Sequence, residues 1–157
     1  MREKEMNEEA QREAKKLIAK FEGCQLKAYK CPAGKWTIGY GHTKGVKAGD
    51  TWTQEQADKA LEQDIETYRK AVLIACPALA ETPNRLAACI SLAYNIGIGN
   101  FAGSSVAKYI RRGEYRAAAD AFGMWVYAGK QKLQGLVSRR QMERTVFRRD
   151  ELFGNPE

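Results

Sequence analysis

Residues 21–43 read FEGCQLKAYKCPAGKWTIGYGHT. Pro32, Gly34, Gly39 and Gly41, with Gly45 just beyond, cut this stretch into pieces too short for helices. Between the breaks, QLKAYKC and KWTIGYGH carry alternating apolar positions. A period of two, bounded by turn residues, predicts two or three short antiparallel strands, with the first turn at Pro32-Ala33-Gly34. So small a sheet has no core of its own and must pack against a helix.

Helical patterns lie on both sides. Upstream, residues 7–21 predict an amphipathic helix: Asn7 caps it, acids occupy its first turn, Leu17, Ile18 and Phe21 share a face, and Gly23 stops it. Downstream, Thr53-Gln54-Glu55-Gln56 fits a capping box. A long helix should follow to about Cys76, with Ala57, Ala60, Leu61, Ile65, Tyr68, Val72 and Leu73 on its apolar face and Pro77 beyond its end. Thr82-Pro83 opens the next helix in cap-then-Pro order. That helix carries Leu86, Ala87, Ile90, Leu92 and Ala93, is apolar on most sides and ends at Gly97 and Gly99. Ser104 or Ser105 caps a short helix to Arg112, residues 114–122 form another, and 136–153 form a basic last helix with Leu136, Val137, Met142, Val146, Phe147 and Leu152 inward. The fold class is therefore α+β within one domain, 1–157: a small N-terminal lobe with the short sheet (about 12–52), a long connecting helix (about 53–76) and a larger all-helical lobe (about 77–157). A cleft at the lobe junction is the natural place for a site.

Composition narrows the classes. Hydrophobic residues at 44% against 29% charged are enough for a packed core, which argues against disorder. Lys plus Arg exceed Asp plus Glu by seven, so the surface favours polyanions without choosing among nucleic acid, anionic lipid and an anionic cell wall. No apolar run approaches the ~18–20 residues of a membrane span. The first twenty residues alternate charges and carry no signal-peptide core, so work outside a cytoplasm would need another exit. Cys24, Cys31, Cys76 and Cys89 follow no common zinc spacing, and His42 is the sole histidine.

The chain has many carboxylates, and position is the filter. Glu22 sits where the first helix feeds the sheet, beside Phe21. A carboxyl against aromatic surface at a lobe junction can have its pKa raised and so keep a proton for general-acid work; on position alone, a solvated helix-end acid is the plainer reading. The surrounding string adds to this. FEGCQLKAYKCPAGKWTIGYGHT resembles the catalytic segment of the phage-type lysozymes, the muramidase endolysins of glycoside hydrolase family 24. Their pattern of Glu, eight residues, Asp or Cys, five residues, Thr falls on Glu22, Cys31 and Thr37. TQEQADKALEQDI (53–65) is similar to the family's long helix, SLAYNIGIGNF (91–101) to its buried helix and turn, and WVYAGKQKLQGLVSRRQMERTVF (125–147) to its C-terminal signature.

The resemblance implies hydrolysis of the β-1,4 bond between N-acetylmuramic acid and N-acetylglucosamine in peptidoglycan. Glu22 would protonate the leaving oxygen, while Cys31 and Thr37 hold and activate water on the opposite face of the sugar. That arrangement inverts the anomeric centre, with groups ~6.5–9.5 Å apart. Cys31 stands where Asp is commoner; a free thiol of pKa ~8.5 is a weak base, so either the site lowers that value or Cys31 mainly positions water. Tyr94 and Asn95, near the end of the buried helix, are candidate sugar contacts, with core packing the alternative for Tyr94. The family's matching histidine is structural, which implies the same for His42, and Arg139-Arg140 with Glu143 resembles a structural pairing. Trp36 and Trp125 are expected in the core. A Cys24–Cys31 disulfide would be a redox off-state, with two unpaired thiols the favoured reading; Cys76 and Cys89 read as core thiols. The basic last helix (Arg139, Arg140, Arg144, Arg148, Arg149) reads as a solvated face, or as a surface for wall carboxylates and anionic lipid.

No metal or organic cofactor is implied. The implied partners are bacterial peptidoglycan and a holin-type pore for release, with no nucleic acid, no stable membrane insertion and a monomeric state. Synthesis in the host cytoplasm and action on the wall from the periplasm follow. Three alternatives stay open: a basic nucleic-acid binder, a catalytically dead wall-binding module and a membrane-disrupting helix.

Overall fold

The computed structural model describes residues 2–150. In chain order it contains α1 (Arg2–Glu22), β1 (Gln25–Lys30), β2 (Trp36–Gly39), α2 (Gln54–Ala75), a 3-10 turn (Pro77–Glu81), α3 (Pro83–Ile96), α4 (Ile98–Ala102), α5 (Ser105–Arg111), α6 (Tyr115–Ala121), a second 3-10 turn (Phe122–Met124), β3 (Tyr127–Ala128), β4 (Gln131–Lys132) and α7 (Gln134–Phe147). The α+β expectation holds: a mostly helical body with a small antiparallel sheet. No described helix is long and apolar enough to cross a membrane.

β1 pairs with β2 so that Tyr29 faces Thr37 and Lys30 faces Trp36. The Gly34 N–H donates to the Cys31 carbonyl at 2.8 Å, closing the turn expected at Pro32-Ala33-Gly34. Residues 50–52 run beside β1: the Ala28 N–H donates to Asp50 O at 2.9 Å and the Trp52 N–H to Leu26 O at 2.8 Å. α2 begins as its capping box requires, with Thr53 and Gln56 exchanging side-chain-to-backbone bonds. Ala57, Leu61, Ile65 and Val72 are its buried stripe.

α1 packs with the helices rather than with the sheet. Ala10, Ala14, Leu17 and Ile18 are buried in one cluster with the residues of α3, α5, α6 and α7. Burying Leu17 and Ile18 contributes roughly 1.5–3 kcal/mol each. The helical body therefore fixes the end of α1 and carries Glu22 up against the sheet.

Five expectations need correction. First, α1 starts at Arg2, not Asn7; Asn7 lies within the helix, and its side chain accepts from Arg69 of α2 at 3.3 Å. Second, Thr82 is positioned as the cap of α3, yet its side chain makes no capping bond. The Asp150 carboxylate takes that role, accepting from the N–H groups of Asn84 and Arg85, each at 3.0 Å. Third, Gly99 lies inside α4 rather than ending α3; Gly97, at φ 92°, is the stop. Fourth, β3 and β4 form a second hairpin that no periodicity announced, since two residues per strand carry none. Fifth, Met142 of α7 is 37% exposed. Val146 and Phe147 are buried as expected, Leu136 and Val137 are half-buried, and Arg139, Arg140 and Glu143 join the inward face because their charges neutralise one another. Leu152 lies outside the described residues.

Candidate active site

Glu22 is the last residue of α1, and Gly23 turns the chain with φ 66°. The carboxylate does not wave in solvent. Its Oε2 accepts from Arg139 Nη1 at 2.6 Å, with the Arg139 side chain 4% exposed and that of Glu22 22% exposed. Arg139 is itself held. Its Nε donates to Glu143 Oε2 at 3.3 Å and its Nη2 to Ser91 O at 3.2 Å. Glu143, fully buried, also accepts from Ser91 Oγ at 2.6 Å and from Arg140 Nη2 at 3.0 Å. Arg140 Nε lies 2.6 Å from Glu143 Oε1 but off line for a hydrogen bond. Burial pushes the Glu143 carboxyl up from the usual range and the Arg140 guanidinium down, and their mutual attraction opposes both shifts.

The last helix is thus not a solvated basic face. Arg139 and Arg140 are buried, Arg144 pairs with Asp120 at 2.9 Å and Arg149 with Glu13. The pairing with Glu143 is the reading that holds.

On the sheet side, the hairpin brings Cys31 and Thr37 together. The Cys31 N–H donates to Lys35 O at 2.9 Å, which folds the turn back over the thiol. The backbone N–H of Lys35 lowers the Cys31 pKa from its ordinary value; slight burial opposes this, while the Ala33 backbone and the Thr37 hydroxyl add to it. Thr37 is 3% exposed and donates to Lys35 O at 3.0 Å. Cys24, Cys31, Cys76 and Cys89 are all unpaired thiols, and the last two are buried, as expected.

The sequence did not single out Tyr29. Burial raises its pKa first, and the charges of Glu22 and Cys31 raise it further. Alternation along β1 marked Tyr29 as a strand residue but not which neighbours it would meet.

Gly41 covers the other carboxylate oxygen. At φ 80°, any Cβ there would stand 2.9 Å from Glu22 Oε1. Tyr94 packs behind: its hydroxyl donates to Tyr40 O, its ring is tilted on Tyr68 at 5.3 Å, and burial chiefly pushes its pKa far up. Asn95 is exposed, and its Oδ1 accepts from Arg140 Nη1 at 2.9 Å. His42 is placed structurally: Nδ1 is 2.7 Å from Asp64 Oδ2 of α2 and Nε2 is 3.0 Å from Lys44 O. A cavity of ≈300 Å³ opens beside Gly41, lined also by His42, Asp64, Tyr68, Tyr94 and Ile98. Trp125 packs against the core, but Trp36 does not; it is half-buried under Lys30, whose Nζ lies 5.6 Å from the ring centroid. Among the described residues, no three His, Cys, Asp or Glu side chains converge to hold a metal.

A carboxyl fixed by the helical body thus lies against the turn that follows the hairpin, and the hairpin carries a thiol and a hydroxyl. Such groups can deliver a proton and polarise water. The model of the phage lysozyme family matches residues 19–143. An endolysin of Acyrthosiphon pisum secondary endosymbiont phage 1 is 42% identical over 135 residues, covering 83% of this chain and 92% of its own. The Bacillus phage PZA endolysin is 40% identical over 134 residues, 83% of this chain, but the match spans only 52% of that longer protein. The muramidase domain of SpmX from Asticaccaulis excentricus superposes with a TM-score of 0.78 at 34% identity, over 87% of this chain and 95% of its own.

Proposed function

The chain belongs to the phage lysozyme family and is a peptidoglycan-lytic glycoside hydrolase, and from that premise we propose that it is an inverting muramidase that lyses a bacterial host. Glu22 protonates the glycosidic oxygen between N-acetylmuramic acid and N-acetylglucosamine. Cys31 and Thr37 hold the water that attacks the anomeric carbon from the far side, and Tyr94 and Asn95 border the sugar path. What supports this reading above all is that Arg139 and the Gly41 backbone hold the Glu22 carboxylate against the turn that follows the Cys31–Thr37 hairpin. The protein acts as a monomer without a cofactor, made in the host cytoplasm and working on the wall in the periplasm, with a holin-type pore as the partner for its release.

The testing experiment is hydrolysis of purified sacculi, with reducing ends quantified and the first-formed anomer read by NMR. Inversion yields the α-anomer from the β-bond. A β-anomer overturns the mechanism, and no reducing ends at all overturns the function.

The thiol gives a pH prediction. Thiolate is the form that takes a proton, so activity should rise with pH as it passes through the lowered Cys31 pKa. Cys31→Asp should keep or raise the rate and move that rising limb toward acid, because Asp ionises near ~3.9. Cys31→Ala should lower the rate and flatten the limb. Full activity in Cys31→Ala would deny the residue any role.

Gly41→Ala probes the covering backbone. Its Cβ would force the Glu22 carboxylate aside and strain a left-handed residue, so turnover should drop by about ten- to a hundredfold. The left-handed strain alone should lower the melting temperature by a few degrees. Turnover on wall fragments and a thermal melt check both.

A further inference from the structure

The turn that covers Glu22 is anchored at both of its ends. At the far end, His42 exchanges backbone bonds with Ile38, each at 2.9 Å, and its ring lies 2.7 Å from Asp64 of α2. At the near end, Tyr40 is gripped through both of its polar groups. Its hydroxyl donates to Asp58 Oδ1 and accepts from Gln54 Nε2, each at 3.0 Å, which ties the ring to the start of α2. Its carbonyl accepts from the hydroxyl of Tyr94 on α3, 54 positions away. Gly41 stands between these anchors, and the Tyr94 ring packs under it: a Cβ on Gly41 would lie 3.8 Å from Tyr94 Cε1.

Tyr94 is three residues beyond Ser91 on the same helix. Ser91 O accepts from Arg139 Nη2, and Arg139 Nη1 donates to Glu22 Oε2. One helix therefore sets both covers of the carboxylate, through Ser91 and Arg139 at Oε2 and through Tyr94 and the Tyr40 carbonyl at Oε1. The second cover matters because the terminal torsion of a glutamate is soft. A bond at Oε2 alone leaves Oε1 free to swing, and backbone standing over Oε1 removes that freedom. The Tyr94 hydroxyl has one proton, which the Tyr40 carbonyl takes, so none is left for a sugar. Burial chiefly, and then nearby negative charge, keeps that proton in place.

We infer that Tyr94 is a positioning residue for the acid: by holding the Tyr40 carbonyl it seats the Gly41 backbone on Glu22 and fixes the direction in which the carboxyl delivers its proton. The inference rests on the muramidase reading with Glu22 as the acid.

The test is Tyr94→Phe, which removes the hydroxyl and keeps the ring that packs on Tyr68. Rates are read on soluble, uncrosslinked glycan strands well below the variant's melting temperature, so that folded protein is compared with folded protein. The kcat should fall about five- to thirtyfold with KM within about twofold, because the loss falls on proton delivery and not on sugar binding. In a Glu22→Gln background the same change should leave the residual rate within about twofold, since a residue that acts through Glu22 then has no acid to aim. A raised KM with kcat unchanged makes Tyr94 a sugar contact and overturns the inference. So does a lowered melting temperature with both constants unchanged, the mark of a bond that serves the fold alone. An equal fold-loss in the Glu22→Gln background also overturns it, because Tyr94 would then act independently of the acid. These three outcomes leave the muramidase reading intact. A wild type that releases no reducing ends fails that reading, and the inference falls with it.

Discussion

Glu22→Gln is expected to lower reducing-end release from purified peptidoglycan by about 10²–10⁴-fold, the range that a positioned general acid supplies. In barrier terms that is roughly 3–5 kcal/mol. The substitution isolates the proton. Glutamine has nearly the same shape, fits under Gly41 and still offers an oxygen to Arg139 Nη1, so the geometry is largely kept. What it cannot do is release a proton to a leaving alkoxide. Far-UV circular dichroism should be unchanged, and binding to sacculi should persist. Bacterial killing that survives the substitution would instead mark a membrane-disrupting basic helix. A rate above about a tenth of wild type would remove Glu22 from the acid role.

Glu143→Ala is expected to destabilise the protein by about 3–5 kcal/mol, the cost of leaving buried charge without its partner. For a chain of this size the melting temperature should fall by roughly 8–15 °C. The reason lies in the count of groups that share one carboxylate. Arg139, Arg140 and the Ser91 hydroxyl all converge on Glu143. Removing it leaves two guanidinium groups that are almost fully buried. Arg139 would then have Glu22 as its only carboxylate, and turnover should fall along with stability because the acid loses its anchor. Glu143→Gln keeps one acceptor oxygen, although its amide NH2 is a donor, and should lose less on both counts. A melting temperature within about 2 °C of wild type for Glu143→Ala would show that the arginines reach other partners.

Most of the helices were legible before any coordinates. A capping box at Thr53 and apolar spacing through Val72 placed α2 within a residue of its ends, because both signals act over one or two turns of backbone. The hairpin was legible for the same reason: alternation and the turn at Pro32-Ala33-Gly34 are local. Glu22, Cys31 and Thr37 stood out through their spacing in a family pattern, and the pattern says nothing of what holds them.

Other features depend on which elements meet. Arg139 and Glu22 are 117 positions apart, and Asp150 reaches back 66 positions to cap α3. No periodicity records such a bond. Read alone, the arginines of α7 look like a wet surface, since charge on a helix usually faces water. Local chain chemistry therefore specified the helices, the turn and the identity of the reactive groups. Only the packed structure decided that a buried carboxylate would draw two arginines into the core and that one of them would pin Glu22. A charge may enter an interior only where opposite charge from a distant segment arrives with it.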